Sequence, residues 1–179
     1  MNGVNRGIQL RRLIICVMTS AVLGAPGLAV AGKLGKAVGS VAGSAGGEAV
    51  GGVSGEVLRQ TLAAKGISED EFFAMAFERG IPRIKKDLPM MVDQDTQYYD
   101  VTGSGREWGY WYRYLRYSSL DFDPAEFKKE MSPEIIAQVC SKPQMIRPFM
   151  EMGGGYRYNF VGRDGKLITS ILVRLQDCS

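Results

Sequence analysis

The chain has no histidine. That absence removes the usual general base near neutral pH and the commonest metal ligand. Cysteine is scarce, with Cys16, Cys140 and Cys178 the only three. Two thiols beyond residue 31, with no imidazole to join them, make a poor metal site. No serine sits in a G-x-S-x-G elbow, and neither a G-x-x-x-x-G-K-[ST] nor a G-x-G-x-x-G loop occurs. The signatures of serine hydrolases, P-loop enzymes and dinucleotide enzymes are therefore missing. The chain is expected to be non-enzymatic, without cofactor or metal.

Acidic residues are also missing from the start, since none precedes Glu48. What the start does contain is Arg6, Arg11 and Arg12, then a mostly apolar run from Leu13 to Leu28, then Ala29-Val30-Ala31. A positive opening, a short apolar stretch and an A-x-A site describe a cleavable signal peptide over residues 1–31, cut before Gly32. Thr19, Ser20, Gly24, Pro26 and Gly27 interrupt the run, which disfavours an uncleaved anchor. The surroundings of Arg11-Arg12 fit twin-arginine export poorly, so ordinary secretion to the periplasm or outer envelope is expected. The full chain carries 22 Lys+Arg against 19 Asp+Glu, and losing the three arginines leaves 19 of each. A nucleic-acid binder shows a basic excess, so no nucleic-acid partner is expected. Cys140 and Cys178 are an even pair in an oxidising compartment, where a disulfide is favoured.

Composition changes near residue 56. Residues 32–55 are almost wholly Gly, Ala, Val and Ser, whereas 56–179 has the mixture of one α+β domain. Gly35, Gly39, Gly43, Gly47, Gly51 and Gly55 recur at every fourth position. On a helix such residues share a face and let another backbone approach closely. A helix over that span is about 31 Å long, near the thickness of a bilayer core. No Leu, Ile or Phe lies between Gly35 and Gly55, and Ser40, Ser44, Glu48 and Ser54 are polar. A buried carboxylate is costly in lipid, and each glycine costs about 1 kcal/mol in a water-exposed helix. A flexible linker, a helix that packs on itself or a partner, and a membrane-associated segment all stay open. The stripe resembles the glycine-zipper segments of bacterial envelope proteins.

Beyond residue 55, Val57, Leu58 and Leu62 predict a helix over 56–64 that stops at Gly66. Ser68 and Glu71 form a capping box, with Ile67 and Phe72 at the hydrophobic-staple positions. Gly80 and Pro82 are expected to end that helix. Strands over 96–101 and 107–117 flank Gly103-Ser104-Gly105 as a hairpin. Asp123-Pro124 and Ser132-Pro133 predict separate helices over 124–130 and 133–141, followed by another over 143–152. Strands over 156–161 and 166–176 make a second hairpin around Gly162-Arg163-Asp164-Gly165, with Leu167, Thr169, Ile171, Val173 and Leu175 on one face. The expected fold is α+β, with helices packed on a small antiparallel sheet made of two β-hairpins.

Asp93-Gln94-Asp95-Thr96 is similar to the paired aspartates of haloacid-dehalogenase-type phosphatases, but Gln97 displaces the required Thr or Val. A polar turn entering a strand is the better reading. Asp121 and Asp123 are a thin acid/base pair, because Asp123 serves as an N-cap. Aromatic residues offer more. Tyr98, Trp108, Tyr110, Trp111, Tyr112, Arg113 and Tyr114 crowd one hairpin and form the candidate binding surface. By alternation, Trp108, Tyr110, Tyr112 and Tyr114 share one face, opposite Trp111 and Arg113, and one face is expected to cover the core. Residues 88–178 resemble a type of small exported proteobacterial domain, through Leu88-Pro89, Thr96, the aromatic strand, Cys140, Arg147, Gly153-Gly154-Gly155-Tyr156, Asp164-Gly165 and Asp177-Cys178. That resemblance supports export and the Cys140–Cys178 bridge and implies no activity. The expected function is binding of another envelope or periplasmic protein, in a secretion-accessory or an immunity role. Residues 35–55 would provide self-association or membrane contact. A glycan or small-ligand module using the aromatic hairpin, and a pore-like protein driven by the glycine stripe, are the alternatives.

Overall fold

Ser54 opens the first helix by accepting a hydrogen bond from the Val57 amide, and α1 (Gly55–Ala64) runs to a turn at Gly66, whose φ is 66°. The computed structural model describes residues 54–141 and 143–178. The expected signal peptide and the glycines from Gly35 to Gly51 lie outside the described residues. Gly55, the sixth of the stripe, belongs to α1. It is buried, and its amide donates to Glu151 Oε2 at 2.6 Å.

The Ser68–Glu71 capping box starts α2 (Glu69–Lys85), and Ile67 and Phe72 both pack against the core. The helix does not stop at Gly80 and Pro82 as expected. Phe73, Ala76, Phe77, Gly80 and Ile84 form one buried stripe, and burying Ile84 holds the last turn in place. Gly80 is a packing position, where an added Cβ would come within 2.6 Å of the Trp108 ring.

The sheet comprises β1 (Met90–Met91), β2 (Thr96–Ser104), β3 (Glu107–Tyr114), β4 (Gly155–Val161) and β5 (Leu167–Val173), in that spatial order. Gly105, at φ 57°, leads the two-residue turn between β2 and β3, a position that favours glycine. The architecture is α+β, but the purely antiparallel sheet of two hairpins is corrected. β3 pairs with β4 in parallel, from Glu107 with Gly155 to Arg113 with Val161. Two helices, α3 (Pro124–Cys140) and α4 (Pro143–Glu151), carry the chain back to the end where β3 began. A crossover of that kind makes neighbouring strands parallel.

Helix α3 is also one element, not two. Phe127, Met131, Ile135 and Val139 recur at every fourth position and are all buried, straight across the exposed Pro133. Ser132, expected to cap a new helix, donates its hydroxyl to the Lys128 carbonyl at 2.6 Å within the same helix. Strand β3 ends at Tyr114 and not Tyr117. β5 ends at Val173, after which Leu175–Cys178 form a 3-10 turn. A register shift between Phe160 and Val161 explains why Leu167 is exposed while Thr169, Ile171 and Val173 are buried. Cys140 is bonded to Cys178, tying the end of α3 to that turn.

Candidate functional site

Alternation divides the aromatic hairpin into two unlike surfaces. Tyr98, Trp108, Tyr112 and Tyr114, all in the expected binding surface, are buried in the core and offer nothing to a partner docking from solvent. Trp108 stands edge-on to Phe77 at 5.0 Å, and Tyr114 packs on Phe122 and Phe127. Gly103 permits this closeness, since a Cβ there would overlap the Phe77 ring. Tyr110 points to the same side but is half-buried. Burial raises the phenol pKa of Tyr98, Tyr110, Tyr112 and Tyr114, and also of Tyr156 and Tyr158 on β4, so all six stay neutral.

The opposite face carries the other two predicted residues, Trp111 and Arg113, both half-buried. Trp111 Nε1 donates to Thr102 Oγ1 at 3.0 Å, across the strip that Gly109 leaves low. The Arg113 guanidinium lies 4.3 Å from the centre of the Tyr99 ring, a cation–π contact. Tyr99 reaches this position at a bulge, where the β2–β3 register shifts between Tyr98 and Asp100. Alternation alone sets Tyr99 opposite Tyr98; the bulge changes the side of Asp100 and Val101, which breaks the two-residue period beyond it.

Beside these residues runs a polar chain across β3, β4 and β5. Glu107 accepts from Arg157 Nε at 2.8 Å and from Arg174 Nη2 at 2.6 Å. Arg157 Nη1 also donates to Ser170 Oγ at 3.3 Å, and that hydroxyl donates to Asn159 Oδ1 at 2.9 Å. Parallel pairing sets Arg157 beside Gly109 and Asn159 beside Trp111. The side that Arg157 takes depends on how β4 meets β3. The assembled face carries Trp111, Tyr99 and the arginines Arg113, Arg157 and Arg174, with Glu107 bound to the last two and Asp100 opposite Trp111 in the register.

The acidic candidates are occupied structurally. Asp93 Oδ1 accepts from the Asp95 and Thr96 amides at 2.7 Å each, a turn that feeds β2. Asp95 is paired with Arg116. Asp121 accepts from the Ser118 amide, and Asp123 from the Ala125 and Glu126 amides. Among the described residues, no group of three or more Cys, Asp or Glu side chains is placed to hold a metal ion, and no helix is long and apolar enough to cross a membrane.

No family model matches the chain, and no curated protein matches it. Among solved structures, a Pseudomonas aeruginosa protein described as a candidate secreted protein is similar at a TM-score of 0.51 and 14% identity, over 62% of this chain and 96% of that one. A type 2 secretion system pilotin from Vibrio vulnificus is similar at 0.47 and 18% identity, over 62% and 96% of the two chains. A type II secretion system pilotin from Vibrio cholerae gives 0.46 and 18% identity, over 65% and 99%. The first of these likenesses shows a shared α+β fold.

Proposed function

We propose that this is a non-enzymatic protein of the bacterial envelope that binds another envelope protein through the opposite face of its sheet, in a secretion-accessory or inhibitory role. The observation that carries this reading is the grouping of Trp111, Tyr99 and Arg113 with Arg157 and Arg174 on one half-buried face. Trp, Tyr and Arg are the residues in which interface energy concentrates. A partner surface that is acidic and apolar complements them. The opening sequence and the Cys140–Cys178 bond support an oxidising location outside the cytoplasm. Residues 35–55 would add self-association or membrane contact.

The test is site-specific photo-crosslinking in cells that export the protein. Probes at Trp111 and Arg113 should capture one discrete protein, and a probe at Lys129, exposed on α3, should not. Replacing Trp111 by Ala should then weaken the isolated complex by roughly 30-fold, the scale of a truncated interface anchor. Equal labelling from both faces, or glycan adducts in place of a protein, would count against the reading.

A further inference from the structure

Five arginines among the described residues are half-buried: Arg59, Arg106, Arg113, Arg157 and Arg174. Four of them meet a carboxylate. Arg59 and Arg106 share Glu69, and Arg157 and Arg174 share Glu107. Arg113 is the exception. It has no ion pair and no hydrogen bond among the described residues, and its Nε is buried without a partner. Its register neighbours, Gln97 on β2 and Val161 on β4, carry no charge. Asp95, just before β2, and Asp100, within it, are engaged by Arg116 and Lys85.

A cation taken partly out of water without a counter-charge costs free energy. The Tyr99 ring, 4.3 Å from the guanidinium, offsets part of that cost and steadies the orientation of the group. Arg113 is thus held in place with its charge unanswered, on the same face of β3 as Trp111. We infer that Arg113 reads the partner on this face by taking a side-chain carboxylate from an extended acidic segment, whose apolar residue two positions away packs on Trp111. Trp111 and Arg113 are themselves two residues apart, about 7 Å along a strand, which matches the alternate side chains of an extended chain. A guanidinium and a carboxylate meet as a fork of two hydrogen bonds, a geometry that an amide or an ammonium does not reproduce. Arg157 and Arg174 already share Glu107 and add only a general positive field. The role of Arg113 rests on the use of this face proposed above and gives that face its selectivity for acid.

The test titrates the 15N-labelled protein with acetyl-glutamyl-threonyl-leucine amide and, separately, with its glutaminyl counterpart. The glutamyl peptide should shift the Arg113 Nε–H and Trp111 indole signals saturably. The glutaminyl peptide should bind about tenfold more weakly, the worth of one hydrogen-bonded charge. Arg113→Gln should abolish that preference without lowering the thermal midpoint. Arg174→Gln removes the same charge from the same face and should keep the preference. Equal affinity of the two peptides, no saturable shift with either, or a preference that survives Arg113→Gln would overturn the assignment. Photo-crosslinking at Trp111 reports separately on the face. A protein captured there and bound with undiminished affinity by Arg113→Gln would keep the binding face and remove this role for Arg113. Peptide selectivity with no captured protein would keep the chemistry of Arg113 and remove the protein-binding role.

Discussion

Asp164 shows how much one exposed side chain can organise. It sits in the turn between β4 and β5 and accepts from Ser119 Oγ at 2.7 Å, from the Ser119 amide at 3.1 Å and from Ser118 Oγ at 3.3 Å. Those bonds fasten the turn to the loop after β3. The Ser119 hydroxyl is the largest cause that lowers its pKa to about 2. A depressed carboxylate stabilises the fold fully above its ordinary value, and the contribution fades as pH falls through about 2. An NMR titration should find Asp164 near 2 and move it upward in Ser119→Ala. A carboxyl that titrates at its ordinary value in both proteins would contradict the geometry. Gly103 gives a second prediction at this scale. Alanine there forces its methyl into Phe77, and overpacking of this kind costs about 1–3 kcal/mol, readable as a lower denaturation midpoint. An unchanged midpoint would mean that Phe77 moves aside freely.

At the scale of elements, the chain was most legible where a signal is local. The Ser68–Glu71 box, the hairpin at Gly105 and the glycine turns at Gly66 and Gly165 follow from neighbouring residues. It was least legible where distant packing decides. Pro82 and Pro133 look like punctuation, yet each lies inside a helix because buried residues on both sides hold the turns together. The parallel pairing of β3 with β4 carries no local signature, since the same two strands could meet in either direction. Five of the seven candidate surface residues lie on the helix-facing side for a related reason: alternation separates two faces but does not say which one the helices cover. Pro133 turns this into a measurement. It is exposed and breaks the hydrogen-bond ladder of α3, so Pro133→Ala should stabilise the protein by about 1–2 kcal/mol in urea denaturation, after allowing for the freer unfolded chain. Destabilisation would show that the proline is tuned to a bend in α3.

For the whole molecule, the question is where the folded unit starts. Composition places the change at residue 56, but the structure gives two earlier residues definite work. Ser54 caps α1, and Gly55 sits so close to α4 that a Cβ would overlap that of Glu151. The Gly55 amide is the largest cause of the lowered Glu151 pKa, with Arg147 adding to it. Arg59 strengthens the same junction by donating to the Glu151 carbonyl at 2.8 Å and to Glu69 at 2.6 Å, while Arg106 joins Glu69 to the Met152 carbonyl. Helices α1, α2 and α4 and the β2–β3 turn therefore meet at one polar knot, and Gly55 is the first of the described residues bonded into it. A protein beginning at Glu56 keeps every apolar core residue but loses the cap and the Gly55 donor. It should unfold at lower urea than one beginning at Ser54, by about 1–2 kcal/mol, the usual cost of an N-cap. Equal midpoints for the two chains would mean that the glycine stripe ends outside the fold, and that the tight approach of Gly55 to Glu151 adds nothing to stability.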